Sequence, residues 1–472
     1  MALLTLAGLL ALLLCFKSDV EWHSLRNYPL VAGRYSVPYL LFLLSIASLG
    51  VCICLAFLHP SSKAGHGWKL VSVYTAITLY CMFLTVAAFE FILQRNPMWI
   101  VTPQATLNPM QIVLFSFDQW QADPDIGVLG RPNASAKNVQ GPFALYSLYD
   151  RSAWRDEKRP AITFNTDAQG FRNDAVVQAP DIIATGDSFT HGAFVNREEI
   201  WLTQLAQHFG ATERNLGLSA FSPQQSGLVL QRFGLPQSPK VVIFQLYYGN
   251  DFDDAVQFER WKQSGKTYVQ FIRGQLGEMP QLVMAQRWFH NRFMPQDKQA
   301  GPRWQPVQCQ LEDARIALGF APPSPILYQE REQIRSHPGF ASTINAIETM
   351  QRECRSNGAH FLVCAVPAKI SVYMDAIAGP QNQRRLMEQQ APGRELAFEL
   401  ARSRIDNLPD VVQEEMMARN IQFVDLTLPL RKNAIENGAL LYYPFDTHWN
   451  PDGHKAASKI LSEQIQRLGW LK

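Results

Sequence analysis

The sequence predicts an α/β domain on a doubly wound parallel sheet, preceded by about three transmembrane helices. Two observations favour the sheet: short apolar runs recur between residues 181 and 426, and helical patterns lie between them. Buried strands that alternate with helices form parallel sheets covered on both faces. A third observation favours the membrane region, because the long uncharged apolar segments lie within the first 93 residues.

Three apolar segments predict the membrane region, residues 1–93. Residues 37–58 and 70–92 are long enough for a span, which needs ~17–25 residues, and Glu90 lies near the end of the second. Residues 2–16 are shorter, but they lack the basic region and cleavage site of a signal peptide. A third span is therefore favoured, and a helix lying on the membrane surface is the alternative.

Five apolar runs predict the strands, and three patterns between them predict helices. The strands are expected at 181–185, 213–217, 240–247, 360–366 and 421–426, and the helices at 198–209, 343–356 and 452–468. Residues 94–164 are rich in Pro, Asn and Gln and predict an irregular lead-in to a domain at 165–472. Residues 255–340 interrupt the alternation and predict an inserted cap.

Polar residues that follow the predicted strands are candidates for a site, because parallel sheets bind ligands at the carboxyl ends of their strands. Ser188 follows the first strand in Gly186-Asp187-Ser188, where its hydroxyl can be exposed as a nucleophile. The alternative is that Asp187 and Ser188 only cap a helix. Asn250 follows the third strand and can donate its amide to an oxyanion, or it can simply form a turn.

A third candidate lies near the C-terminus, in Asp446-Thr447-His448. In an extended segment, residues two apart face the same side, so His448 is placed to act as a base and Asp446 to orient it. A structural histidine and a zinc site are the alternatives, although no His-x-x-x-His or Cys-x-x-Cys spacing supports zinc. We therefore expect no metal and no cofactor.

In this order, the motifs resemble those of the SGNH (GDSL-type) hydrolases over roughly 162–255 and 358–470. The resemblance implies a flavodoxin-like three-layer parallel sheet. It also implies Ser188 as nucleophile, His448 as base and Asp446 as its partner. The implied oxyanion donors are the N–H groups of Ser188 and Ala220 and the Asn250 amide, with Gly217 as a fallback for Ala220. The chain departs from the family in two places: Ala220 stands where the family has glycine, and Asp-x-His stands where it has Asp-x-x-His. The second departure bears on whether Asp446 can orient His448.

A narrower resemblance concerns Val366-Pro367-Ala-Lys369-Ile-Ser-Val-Tyr373 and the Asp-Thr-His-Trp string. Both are similar to segments of SGNH-like proteins that O-acetylate exported polysaccharides. By this analogy, Lys369 or Tyr373 is expected to line the cleft. Trp449, which follows His448, is placed to stack on a sugar ring. The alternatives are that Lys369 solvates a loop and that Trp449 packs against the last helix.

These observations predict a membrane-anchored serine esterase or O-acyltransferase that acts on acetyl groups of a carbohydrate or envelope substrate. The partners expected are the lipid bilayer and that substrate, and a transferase would also need a multispanning protein to supply the acyl donor. A net charge of +2 gives no reason to expect nucleic acid. The alternative is a non-catalytic carbohydrate-binding or assembly subunit on a degenerate scaffold.

Sidedness and cysteine pairing are less constrained. The basic residues of the short loops lean towards a cytoplasmic C-terminal domain. The family resemblance favours the opposite, a domain outside the cytoplasmic (inner) membrane, and we adopt that expectation. Three cysteines lie in the predicted domain, and a disulfide between Cys309 and Cys354 is left open.

Overall fold

A computed structural model of the chain describes residues 30–31, 35–36, 120–140, 161–266, 268, 271, 304–322, 324–390 and 396–471. The chain divides into two units. The first comprises Met1–Thr102, Gln111–Val128 and Lys266–Pro295, and the second comprises Pro103–Met110, Leu129–Gly265 and Gln296–Lys472. In the first unit, the short strands Leu30–Val31 and Tyr35–Ser36 pair antiparallel.

The second unit is built on a five-stranded sheet whose strands are all parallel. The strands are β1 (Ile182–Thr185), β2 (Glu213–Asn215), β3 (Val241–Tyr247), β4 (His360–Val366) and β5 (Gln422–Asp425). Their spatial order is 2-1-3-4-5, which is the flavodoxin-like order. The prediction of a parallel α/β sheet is thus confirmed, with a strand at each of the five expected runs.

Twelve α-helices connect and flank these strands in the described part of the chain. They are α1 (Ser188–His191), α2 (Trp201–Phe209), α3 (Pro223–Val229), α4 (Asp251–Gln263), α5 (Arg331–Arg335), α6 (Pro338–Ser356), α7 (Lys369–Tyr373), α8 (Gly379–Gln390), α9 (Phe398–Arg404), α10 (Asn407–Ala418), α11 (Thr427–Glu436) and α12 (Pro451–Leu468). The chain runs one way across the sheet from β1 to β2 and the other way from β2 onwards. Because parallel crossovers are right-handed, α2 and α3 lie on opposite faces, which gives three layers.

Shorter elements occur in the regions predicted as lead-in and cap. The lead-in contains the strands Trp120–Asp123, Gly127–Gly130, Ser135–Gln140 and Ala161–Asn165, and the last two pair antiparallel. In the described part of 255–340, Val307–Leu311 and Ala314–Leu318 form an antiparallel hairpin. The predicted domain boundaries and the interpretation of 255–340 as a cap stay predictions.

The strand order fixes where polar residues can converge. In a 2-1-3-4-5 sheet the connections leave β1 and β3 in opposite directions, so a crevice forms outside their carboxyl ends. Ser188 follows β1 and Asn250 follows β3. Ser188 and Asn250 therefore follow the two strands that border this crevice.

Two further expectations concern the membrane and the cysteines. Within the described residues, no helix is both long and apolar enough to cross a bilayer. The segments 2–16, 37–58 and 70–92 lie outside the described residues, so the three spans stay predictions. Cys309, Cys354 and Cys364 are buried free thiols, and the disulfide between the first two is absent.

Candidate active site

Ser188 is held by the turn between β1 and α1, which we call the nucleophile turn (residues 186–189). Asp187 caps α1, and its Oδ1 accepts a hydrogen bond from the Phe189 N–H at 2.9 Å. Gly186 is required here, because a Cβ on it would lie 2.7 Å from the Gln245 Oε1 and 2.9 Å from the Gln245 carbonyl oxygen. Helix capping and a nucleophilic role for Ser188 are therefore compatible, because Asp187 makes the cap and Ser188 remains partly exposed.

His448 lies in a loop of residues 442–449, which we call the histidine loop. An antiparallel bridge between Tyr442 and Trp449 closes the loop, and the Tyr443 N–H donates to the His448 carbonyl at 3.1 Å. Within this loop, Asp446 Oδ1 accepts a hydrogen bond from the His448 backbone N–H at 2.9 Å and lies 2.5 Å from His448 Nδ1. One carboxylate oxygen thus fixes both the turn and the ring, which is how the short Asp-x-His spacing orients the histidine.

The two segments meet at the serine hydroxyl. His448 Nε2 lies 2.8 Å from Ser188 Oγ, although 260 positions separate the two residues in the chain. Burial lowers the pKa of His448, but the Asp446 charge and hydrogen bond, with Asp187 beyond, raise it above its usual value overall. An imidazole between a hydroxyl and a buried carboxylate is arranged to take the hydroxyl proton and to bear the resulting charge.

Residues 327–472 match the family model described as "SGNH hydrolase-like domain, acetyltransferase AlgX". Residues 327–472 are thus similar to an SGNH hydrolase-like domain. The matched range contains Asp446 and His448, and Ser188 lies before it. No curated protein was found to match the chain.

Solved structures similar to the chain include lipolytic proteins of the G-D-S-L family and an acetylxylan esterase. A putative lipolytic protein of the G-D-S-L family from Desulfitobacterium hafniense DCB-2 is 15% identical, with 60% of this chain and 97% of that one covered and a TM-score of 0.31. A catalytic mutant of Axe2, an acetylxylan esterase from Geobacillus stearothermophilus, is 13% identical, with 62% and 97% covered and the same TM-score of 0.31.

The candidate oxyanion donors differ in what their N–H groups already bind. Within the described residues, no hydrogen bond uses the backbone N–H of Ser188 or Ala220. Ala220 has a φ of 60°, in the left-handed region that favours glycine. Its backbone is therefore strained, because alanine carries a Cβ there. The N–H of the fallback, Gly217, donates to Asn215 Oδ1 at 2.9 Å. The geometry therefore favours Ala220 over Gly217 as a donor.

Asn250 lies at the start of α4, and its Nδ2 donates to Asp254 Oδ2 at 2.7 Å. Since an amide nitrogen carries two N–H groups, this bond leaves one for a further acceptor. Burial, with the Asp187 and Asp253 charges, raises the pKa of Asp254 well above its usual value. The Asn250 side chain is therefore held by a local bond at the end of β3, with one N–H to spare.

The three residues expected to bind substrate do not line a cleft. Tyr373 and Trp449 are buried: the Tyr373 hydroxyl accepts from the Leu441 N–H at 2.8 Å, and the Trp449 ring packs edge-on against Phe189 at 4.9 Å. Lys369 is also buried, and its ammonium donates to backbone carbonyls. The expectation of cleft residues at these positions is not supported. The Trp449 ring also packs edge-on against His454 of α12 at 5.5 Å, in agreement with the alternative that it packs against the last helix.

Several residues that shape the site were not singled out from the sequence. Arg172, almost fully buried, donates to the carbonyl oxygens of His191, Gly192 and Val195, which fixes the chain after α1. Phe194, in that segment, has a φ of 68° and packs edge-on against the His448 ring at 5.3 Å.

Gln245 is another such residue: its Oε1 accepts from the Asp187 N–H at 3.2 Å. A glutamine within the otherwise apolar strand β3 was a visible signal of this role. Among the described residues, no group of three or more His, Cys, Asp or Glu side chains is placed to hold a metal ion.

Proposed function

We propose that this chain is a serine-dependent esterase or O-acyltransferase that acts on acetyl groups of a carbohydrate. The observation that carries the proposal is the chain of contacts from Ser188 Oγ to His448 Nε2 at 2.8 Å and from His448 Nδ1 to Asp446 Oδ1 at 2.5 Å. The likeness of residues 327–472 to a family model described as an acetyltransferase supports the acetyl group. The carbohydrate rests on the resemblance of the segments at 366–373 and 446–449 to proteins that O-acetylate exported polysaccharides.

The proposed reaction has two steps. Ser188 Oγ attacks the ester carbonyl while His448 takes its proton, and the N–H groups of Ser188 and Ala220 with the Asn250 amide hold the oxyanion. The carbon–oxygen bond to the leaving alcohol then breaks, and His448 returns the proton to that alcohol. Water or a sugar hydroxyl next attacks the acyl-serine and loses its proton to His448. The bond between the acyl carbon and Ser188 Oγ then breaks, and His448 returns the proton to Oγ, which restores the serine hydroxyl.

The proposal includes a membrane setting. Three N-terminal spans would anchor the domain in the cytoplasmic membrane and outside the cytoplasm, where envelope or exported polymers are the substrates. A transferase there would need a multispanning partner to supply the acyl group. The non-catalytic alternative rested on Ala220 and on the short Asp-x-His spacing, and the positive φ of Ala220 and the double role of Asp446 Oδ1 accommodate both.

The test uses the full-length protein in detergent and follows p-nitrophenyl acetate cleavage with and without an added oligosaccharide, which is then weighed by mass spectrometry. Turnover that is lost in Ser188→Ala and kept in Ser403→Ala, an exposed serine on α9, supports the acyl-serine route. A gain of one acetyl group on the sugar identifies a transferase. Equal rates in the wild type and Ser188→Ala would refute the proposal.

Asn250→Ala tests the oxyanion assignment separately. Loss of one oxyanion donor lowers turnover by ~10²–10³ in enzymes of this kind. The matched change Asn357→Ala, at the end of α6, should leave turnover unchanged. A loss below about threefold for Asn250→Ala would remove Asn250 from the oxyanion site.

A further inference from the structure

Lys369 is a buried ammonium that binds backbone carbonyls. It is the first residue of α7, directly after β4, and is 3% exposed. Its Nζ donates to the carbonyl oxygens of Pro444 at 2.7 Å, Gly319 at 2.8 Å and Tyr443 at 2.8 Å, and lies 3.3 Å from that of Asp446.

These carbonyls come from two segments that are far apart in sequence. Three belong to the histidine loop, and the fourth, Gly319, follows the hairpin strand Ala314–Leu318. The Gly319 N–H also donates to the Pro444 carbonyl at 2.8 Å, so the same two segments are joined twice. Carbonyl dipoles that point at one buried spot repel each other, and a buried carbonyl left without a donor destabilises the fold.

Lysine suits this spot because its ammonium carries three donors and a full positive charge. Charged donors make stronger hydrogen bonds than neutral ones. Rings of backbone carbonyls also replace the hydration shell of monovalent cations in other proteins. The side chain of Lys369 therefore acts here as a cation tethered to the fold.

We propose that Lys369 is a positioning residue for His448. Its ammonium binds the carbonyls of Tyr443, Pro444 and Asp446 and so fixes the main chain that carries the Asp446 carboxylate. That carboxylate in turn holds His448 by two contacts, at 2.9 Å to the backbone nitrogen and 2.5 Å to Nδ1. Activity assays of this idea rest on the proposed function, but the position of the histidine can be measured without turnover.

The first test is Lys369→Met in the full-length protein, with Lys455→Met, an exposed lysine on α12, as the matched control. The readout is the far-downfield proton resonance of His448 Nδ1–H, assigned by its loss in Asp446→Asn. We expect Lys369→Met to lose or shift this resonance and Lys455→Met to keep it. On p-nitrophenyl acetate, kcat/KM should fall by about 10²-fold, the cost of a catalytic group displaced by ~1 Å.

A merely structural role is separated by Ile347→Ala, a fully buried change on α6 that should lower the melting temperature without moving the Nδ1–H resonance. If Lys369→Met keeps the resonance where the wild type has it, the proposal is wrong. A wild type that shows the resonance but cleaves no ester would refute the proposed function and leave this test readable.

The second test applies whether or not Lys369→Met folds. Lys369→Ala leaves a space lined by four carbonyl oxygens, and ammonium chloride should raise its melting temperature and restore the resonance. Tetramethylammonium chloride at the same concentration has the charge without N–H donors, and it should do neither. Equal effects of the two salts on Lys369→Ala, or the same ammonium effect on the wild type, would overturn the tethered-cation role.

Discussion

The nucleophile turn and the histidine loop meet at 2.8 Å, yet the chain holds them by different means. Ser188 is placed by regular backbone: a buried strand, a glycine that allows a close approach, and the first turn of a helix. His448 has no regular element around it. Its position depends on side chains, namely Asp446 within the loop and Lys369 from α7.

Because the two segments are held differently, substitutions should impair the nucleophile turn and the histidine loop in different ways. A site held by backbone geometry tolerates polar substitutions nearby but not an added atom where the chain is close-packed. A loop held by hydrogen bonds to side chains should lose its function in graded steps as single bonds are removed. Four substitutions, two in the nucleophile turn and two in the histidine loop, test this comparison.

Asp446→Asn removes the charge that the histidine loop places beside His448. We expect kcat to fall by about 10²–10⁴, as when the carboxylate of a serine–histidine pair is neutralised in other enzymes. Activity requires neutral His448, so it is lost as the pH falls through the His448 pKa. That pKa is raised in part by Asp446, so the acid limb should move to lower pH in the variant. Asp452→Asn, exposed on α12, is the control, and a limb that moves to higher pH would contradict the assignment.

Gly186→Ala adds one carbon to the nucleophile turn, 2.7 Å from the Gln245 side chain and 2.9 Å from its carbonyl. The turn must shift, and we expect an activity loss of about 10²-fold together with a lower melting temperature. Gly210→Ala separates the steric effect from backbone strain, because Gly210 has a φ of 58° but no atom within 4 Å of the added carbon. Similar losses in the two variants would show that close packing is not the cause.

Tyr443→Phe removes one hydrogen bond between the histidine loop and the segment after α1, which the Tyr443 hydroxyl donates to the Phe194 carbonyl at 2.7 Å. Phe194 is held at a positive φ and packs against His448, so its segment should loosen when this bond is lost. We expect a two- to tenfold loss of kcat/KM, in keeping with about 0.5–1.5 kcal/mol for one hydrogen bond. Tyr328→Phe, whose hydroxyl contacts Gln390, is the control, and no loss in Tyr443→Phe would mean that the bond does not matter.

Asp187→Asn should change stability more than activity. Burial raises the pKa of Asp187 to about 6, against the bonds and the His448 charge that lower it. A carboxyl with a raised pKa makes the folded state less stable once the pH exceeds its unfolded value, and the cost is complete above the folded value. Asparagine can still cap α1, so the variant should melt a few degrees higher than the wild type at pH 8 and not at pH 4. A gain at pH 4 equal to that at pH 8 would rule out this cause.

The sheet could be predicted because its strands are buried and apolar, as in Val241–Tyr247 and His360–Val366. Ser188, Asn250 and His448 could be named because each follows a strand or lies in a motif of the family. Lys369, Tyr373 and Trp449 were expected to meet a substrate because the sequence does not tell which way a side chain points, and all three are buried. A lysine after a strand looks solvated until the carbonyls of residues 319, 443, 444 and 446 are seen to converge on it.

The bond between Ser188 and His448 also has a consequence for how the protein is made. The two residues lie 260 positions apart, so the ribosome adds the histidine about 10–50 s after the serine at ~5–20 residues per second. During that interval the nascent chain contains the serine hydroxyl but no base to activate it. The acyl-transfer chemistry proposed here would therefore begin only after His448 has been synthesised, and a product terminated between the two residues would lack the base that activates Ser188.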